Sequence, residues 1–162
     1  MSAEIEQLAR DYFAAVAQRD LSGMERLWGP APVWRMRPLG KELGPAESRD
    51  FFGGLYAALP DLVTRVDRVT ADDRVATVEW HMSGTFDGGS FLGLKPTGRR
   101  VEVDGCDCIE WEDGKLVSNT VYYDGLTFAR GVGMLPPIDS AAERAMYAAF
   151  NALTTARSRL RS

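Results

Sequence analysis

The sequence has one histidine, His81, and two cysteines, Cys106 and Cys108. Structural and catalytic zinc sites draw on three or four imidazole, thiolate or carboxylate ligands, and two thiols with one histidine make a poor set. No metal is expected. The cysteines lie two apart in a strand-like run, so both point to the same face. A disulfide between them would be badly strained, and they read as reduced, partly buried small side chains. No uninterrupted apolar run is long enough to cross a bilayer. Positive charge is not in excess: the formal net charge is -4, which gives no reason to expect a nucleic-acid partner. Neither G-x-x-x-x-G-K-S/T nor G-x-G-x-x-G after a strand occurs, so nucleotide use has no support. No serine sits in a G-x-S-x-G elbow. The opening residues MSAEIEQLAR are acidic and mixed, unlike a signal peptide, and the cytoplasm is the expected location.

What is present is a chain of 162 residues with 45% hydrophobic and 26% charged side chains. That is enough to bury a core without metals or disulfides. Ile5, Leu8, Ala9, Tyr12, Phe13 and Val16 recur at helical spacing. Asp20 or Ser22 can cap a short second helix through Trp28, stopped by Gly29, Pro30 and Pro32. Val33 to Arg37 reads as a short edge strand. Gly44-Pro45 opens a third helix with Glu47 at its positive end. Phe51, Phe52, Leu55, Tyr56 and Leu59 form its apolar side, and Pro60 ends it. Gly53 and Gly54 weaken its interior, which suggests a closely packed neighbour.

The period then changes to two. Strands are expected over Leu62–Thr70, Arg74–Phe86, Arg99–Trp111 and Lys115–Tyr123. Asp72-Asp73 is an acceptable turn, and Asp113-Gly114 suits a tight hairpin with both residues at positive φ. The loop from Asp87 to Gly98 carries Phe91, Leu92 and Leu94, apolar side chains expected to fold onto a pocket mouth or a partner. Gly125 to Pro137 is a poorly periodic connector. Ser140 and Glu143 form a capping box, and Ala142, Met146, Ala149, Phe150 and Leu153 carry a helix to about Leu160. That stripe packs on its own domain, docks on a dimer partner, or lids a pocket. Helices grouped before an antiparallel meander indicate an α+β fold. Its sheet is curved, mostly antiparallel and packed on the N-terminal helices, with an additional C-terminal helix.

ALPDL, RVTADDRVATVEW, SGTF, FLGLKPTGRRVEV, EDGKLV and YYDGL, in this order and spacing, resemble the SnoaL-like polyketide cyclase family of the nuclear transport factor 2-like superfamily. The resemblance runs from about Glu4 to about Gly133. It implies a cone-like domain over residues 1–133, an apolar pocket, and commonly a homodimer built on the outer sheet. Residues 134–162 would form a helical extension packed on the domain or its dimer partner. Cyclases of this family close a ring by an intramolecular aldol reaction. The resemblance implies a general acid/base carboxylate in the last strand, assisted by a histidine in the strand before. Those positions fall on Val121 and Asp107, so the family's chemistry does not transfer unchanged. Asp124 matches a recurrent family aspartate that can also hold the connector.

Asp107 is the leading catalytic candidate. By alternation it shares a face with Gly105, Ile109 and Trp111. A carboxylate desolvated on such a face has a raised pKa, suited to proton transfer near neutral pH. Its alternative role is structural, paired with an arginine or binding water in the pocket. His81 is the second catalytic candidate, as a proton shuttle if it faces the same cavity. Alternation groups it with Glu79 and Ser83, and Trp80 with Val78 and Met82. Tyr12, Trp34, Tyr56, Trp80, Asn119, Val121 and Tyr123 are the candidate substrate-binding residues, where tyrosine hydroxyls would orient a carbonyl. Each also suits ordinary core packing. Arg35 and Arg37 would pair with Asp107, meet an anionic substrate, or stand in water.

The leading functional reading is a cofactor-independent enzyme of cyclase, isomerase or lyase type. It would act by acid/base chemistry on an apolar, carbonyl-bearing small molecule. An epoxide-opening hydrolase or cyclase is the alternative, and needs a second carboxylate beside Asp107, either Glu79 or Asp124. A non-catalytic small-molecule binding module and a structural homodimer subunit are the remaining readings.

Overall fold

The computed structural model describes residues 2–159. Helix α1 (Ser2–Gln18) buries Ile5, Ala9, Tyr12, Phe13 and Val16, the stripe that its spacing predicts. Helix α2 (Leu21–Arg26) follows at once, with Asp20 as its cap: the carboxylate accepts from Gly23 N–H at 2.9 Å. It ends before Trp28, where strand β1 (Trp28–Met36) already begins. The stop expected from Gly29, Pro30 and Pro32 is therefore part of a strand. These residues lie where the ladder to the neighbouring strand is interrupted, between Trp28 and Val33, and a proline there removes no sheet hydrogen bond.

A single 3-10 turn (Arg37–Leu39) leads into β2 (Lys41–Leu43), a strand the sequence does not announce. Because β2 covers it, β1 is an interior strand and not an edge. Helix α3 (Pro45–Ala58) starts with proline in its first turn, and Gly44 N–H donates to Glu47 at 2.7 Å. The ring of Phe91 lies over Gly54, whereas Gly53 faces open space and nothing in the structure explains it.

Strands β3 (Val63–Ala71), β4 (Val75–Phe86), β5 (Arg99–Glu112) and β6 (Lys115–Tyr123) form the expected antiparallel meander. The full order is β2-β1-β6-β5-β4-β3, with β1 parallel to β6. Asp113 and Gly114 both have positive φ, 50° and 72°, as the β5–β6 hairpin requires. The result is an α+β cone: an open, curved sheet of six strands with the N-terminal helices on its concave side.

Alternation decides which side chains enter the cone. From β4, Ala76, Val78, Trp80 and Phe86 are buried. From β5 these are Val101, Val103, Asp107, Ile109 and Trp111. Burying the larger apolar members of this set under the helices contributes roughly 1.5–3 kcal/mol each, and these side chains dominate the core.

The connector after β6 contains a further helix, α4 (Gly125–Gly131), that periodicity misses because it is only two turns long. Asp124 caps it, accepting from Leu126 N–H at 3.0 Å and Thr127 N–H at 3.1 Å. Helix α5 (Ala141–Arg159) closes the described chain. Ser140 Oγ accepts from Glu143 N–H at 3.1 Å, as the capping sequence predicts. The expected helix end near Leu160 lies outside the described residues.

Candidate active site

A cavity of about 90 Å³ opens between the concave face of the sheet and helices α1, α3 and α4. Its wall is almost entirely carbon. Phe13 and Val16 come from α1, Phe51, Phe52 and Leu55 from α3, Val101 and Val103 from β5, and Phe128 from α4. Phe91 closes one side. Its ring centroid lies 5.4 Å from that of Phe51 and 6.5 Å from that of Phe128. The loop that carries it is fixed at both ends. Gly88 and Gly89 N–H groups donate to the last carbonyls of α3, at Ala58 and Ala57. Thr97 and Gly98 N–H groups donate to Phe86 O. A Cβ at Gly88 would overlap the Ala57 carbonyl oxygen, so this close approach requires glycine.

Asp107 lies in this apolar wall. Its residue is 5% exposed, and two neighbours hold its carboxylate. Trp80 Nε1 donates to Oδ1 at 2.8 Å, and Asn119 Nδ2 donates to Oδ2 at 2.6 Å. Sheet register explains both. Asp107 pairs with Val78 on β4 and Val121 on β6. Trp80 and Asn119 are each two residues from those partners, on the same concave face. The indole reaches Asp107 across Gly105, the β5 residue directly opposite Trp80. Any Cβ at Gly105 would overlap the Trp80 ring. Desolvation pushes the Asp107 pKa up to about 6, partly offset by the Asn119 and Trp80 hydrogen bonds.

Tyr12 also lines the cavity. Its hydroxyl accepts from Trp34 Nε1 at 3.4 Å, and no acceptor for its own proton occurs among the described residues. Burial, and secondarily the Asp107 charge, keeps the phenol well above its ordinary pKa, so it remains a donor at neutral pH. Tyr123, at the far end of β6, is likewise raised by burial.

Of the sequence candidates, Asp107, Tyr12, Trp80, Val121 and Tyr123 line the cavity. Asn119 and Trp34 stand behind that wall, at 0% and 1% exposure. Tyr56 is turned away: its hydroxyl donates to Val16 O at 3.1 Å. His81 lies on the opposite, convex face of β4, with Nδ1 2.8 Å from Asp104 Oδ1. The sheet thus separates His81 from Asp107, and the shared cavity that a shuttle would need is not formed. Glu79 is on that outer face too, bonded to Arg68. Asp124 is occupied with capping α4, and its Thr127 hydrogen bonds hold the carboxyl below its ordinary range. Arg35 pairs with Glu42, not with Asp107.

Cys106 and Cys108 are free and half-buried on the outer face; burial pushes the Cys106 thiol up to about 11. Among the described residues no group of three or more His, Cys, Asp or Glu is placed to hold a metal ion, and no helix is long and apolar enough to cross a membrane. Sequence reasoning did not single out Val101, Val103 and Phe128 as pocket residues. The two valines share Asp107's parity, so alternation alone could have placed them.

Residues 9–119 match the SnoaL-like domain family, and the chain belongs to it. The fold recurs in solved structures. AclR of Streptomyces galilaeus, provisionally assigned as a hydroxylase, is 25% identical over 97% of this chain and 98% of its own, with a TM-score of 0.77. TsrD of Streptomyces laurentii is 25% identical over 82% and 96%, with a TM-score of 0.69. IdmH of Streptomyces antibioticus, provisionally a polyketide cyclase, shares 19% over 78% and 96%, with a TM-score of 0.67. No curated protein matches the chain.

Proposed function

We propose that this protein is an enzyme that moves a proton on an apolar, carbonyl-bearing small molecule, as an isomerase or aldol-type cyclase, with Asp107 as the acid/base group. The observation that carries this reading is a buried carboxyl in a carbon-lined cavity, with its pKa pushed to about 6. At neutral pH such a group is mostly ionised, yet basic enough to take a proton from the carbon next to a carbonyl. The electron pair of that C–H bond becomes a carbon–carbon double bond, and the carbonyl π pair moves onto the oxygen. The Tyr12 hydroxyl, with no acceptor of its own, donates to the resulting enolate. In a ketone with a β,γ double bond the enolate is a dienolate and takes the proton back from Asp107 at the γ-carbon, which is isomerisation. Alternatively its α-carbon attacks a second carbonyl of the same molecule, which closes a ring, and the alkoxide so formed takes the proton back from Asp107. Neither route calls for a cofactor.

The epoxide-opening reading is less well supported. It needs one carboxylate to activate water and another to protonate the oxirane. Asp107 is the one carboxylate among the cavity's described lining residues, and both proposed partners are engaged elsewhere. A location in the cytoplasm remains part of the proposal and rests on the sequence alone.

The test is deuterium uptake. The protein is incubated in heavy water with a panel of apolar cyclic and aryl ketones, and α-carbon exchange is followed by NMR. Wild type should catalyse exchange of at least one class, and Asp107→Asn should lower the rate roughly 10²–10⁴-fold, the usual contribution of a general base. Exchange at the same rate in the variant sinks the role of Asp107. Retention of a small molecule through purification with no exchange of it would instead favour a binding module.

A further inference from the structure

Helix α5 has no established partner surface. Its first turn is fastened to the domain through Glu143, whose carboxylate accepts from Arg130 at 2.8 Å and from Asp139 N–H at 2.8 Å. Beyond Glu143 every described residue of the helix is exposed, and no other described element packs extensively against it. The exposed side chains include Tyr147 at 52%, Phe150 at 66% and Leu153 at 59%. A helix of 19 residues that gains so little from packing is only marginally stable in water. Its apolar stripe therefore needs cover.

The spacing of that stripe says what covers it. Ala142, Met146, Ala149, Leu153 and Ala156 follow one another at intervals of four, three, four and three residues, the seam of a two-stranded coiled coil. The two kinds of seam position differ in size. Met146 and Leu153 occupy one kind, and alanine fills the other at 142, 149 and 156. In a parallel pair like positions meet. Layers would alternate between two large side chains and two methyls, leaving the alanine layers underfilled. In an antiparallel pair each large side chain meets an alanine, so every layer has the same thickness and the helices pack evenly.

We propose that α5 pairs antiparallel with α5 of a second copy of this chain, about a twofold axis that crosses the seam at the height of residue 151, between Ala149 and Leu153. Met146 then packs on the partner's Ala156, and Ala149 on the partner's Leu153. Phe150 flanks the axis and meets its own equivalent. The opposite side of the helix, with Arg144, Asn151 and Ser158, stays in water. The exposed apolar area on one helix is on the order of 500 Å², so a pair buries about 1,000 Å², the lower bound for a specific interface. Association through α5 alone should accordingly be reversible and concentration-dependent in the micromolar range.

The test uses the full chain in sedimentation equilibrium over the micromolar range. Leu153→Glu places a charge in the seam and should weaken dimerisation at least about tenfold. Asn151→Glu, on the water-facing side, should not. Both sites are exposed, so the domain should keep its melting temperature in both variants. Register is read by disulfide trapping in a background with Cys106 and Cys108 replaced by serine. A mixture of Ala149→Cys and Leu153→Cys chains should form the mixed disulfide, and Met146→Cys alone should not form a disulfide with itself. A chain that stays monomeric overturns the proposal. So does a dimer indifferent to Leu153→Glu, which would associate through another face. Self-trapping of Met146→Cys overturns the antiparallel arrangement.

Discussion

The Asn119 side chain donates Nδ2–H to Asp107 Oδ2 at 2.6 Å, while its own Oδ1 has no partner among the described residues. An amide so placed can serve both states of the acid. With Asp107 ionised, the NH₂ group donates to it. With Asp107 protonated, a half-turn about the amide axis presents Oδ1 to accept the new O–H. Replacement by leucine, similar in volume and without polar atoms, should therefore disfavour the ionised form. A hydrogen bond to a charged group contributes roughly 1.5–3 kcal/mol, so the Asp107 pKa should rise by about one to two pH units. Trp80→Phe, which removes the other donor, should act in the same direction. Carboxyl chemical shifts followed through a pH titration would register both changes. An unmoved pKa in both variants would mean that these contacts do not stabilise the charge.

The same carboxyl makes stability depend on pH in an unusual direction. Its folded pKa of about 6 lies above the ordinary 3.8, so the folded state binds this proton more tightly than the unfolded chain does. Its contribution is fully present below pH about 4 and is lost as pH rises through about 6. A pKa raised by about two corresponds to about 3 kcal/mol. Carboxylates with lowered pKa, such as Asp124 and Glu143, act the opposite way and lose their contribution in acid. The difference between wild type and Asp107→Asn isolates the one group. In urea unfolding, that difference should grow in favour of the variant between pH about 4 and pH about 7.

Much of this site is legible in alternation. Parity places Asp107, Ile109 and Trp111 on one face of β5 and groups Trp80 with Val78, and the structure confirms both sets. Parity cannot say which face is concave, because that depends on where the helices pack. This is why His81, polar in its neighbours, stands as a candidate in the sequence and on the outer face in the structure. Local signals also fail where a tertiary partner decides. Pro30 and Pro32 read as a stop, yet the ladder to β6 is interrupted at just that stretch and accommodates them. Asp124, at the head of what reads as a poorly periodic connector, instead caps a short helix and bonds Thr127 three residues on, a helix too short for its period to show.

Gly105 should be intolerant of any side chain. The Trp80 indole occupies the space above it, and even a methyl group would push the ring aside. Gly105→Ala should destabilise the domain by about 1–3 kcal/mol through overpacking. It should also break the Trp80–Asp107 hydrogen bond. Two readouts separate these effects. Thermal unfolding reports the strain, and the pH titration of Asp107 reports the lost donor. A folded variant with an unchanged Asp107 pKa would show that the indole reaches the carboxylate by some other path.

Replacement of Phe91 should act on substrate, not on the proton. The ring bridges Phe51 and Phe128 at the side of the cavity, and the fixed ends of its loop do not depend on it. Phe91→Ala should leave the loop in place and widen the opening. Removing a buried phenylalanine destabilises by roughly 3–5 kcal/mol at a fully packed site, and less here because the ring borders a cavity. For any ketone that exchanges, KM should rise several-fold while the pH dependence of the rate stays with Asp107. A parallel shift in the pH profile would mean that Phe91 shields the carboxyl from water.

His81→Ala supplies the opposite test. The imidazole contacts Asp104 on the convex face, and the sheet stands between it and the cavity. Asp104 is 84% exposed at its side chain, so the pair is screened by water and contributes little. Deuterium exchange catalysed by His81→Ala should equal that of wild type at every pH, and its unfolding free energy should fall by about 1 kcal/mol, because the imidazole itself is only 24% exposed. A loss of exchange comparable to that of Asp107→Asn would return the histidine to the mechanism. It would also require the proton to cross β4, whose buried side chains nearest Asp107 in register, Ala76, Val78 and Trp80, include no titratable group.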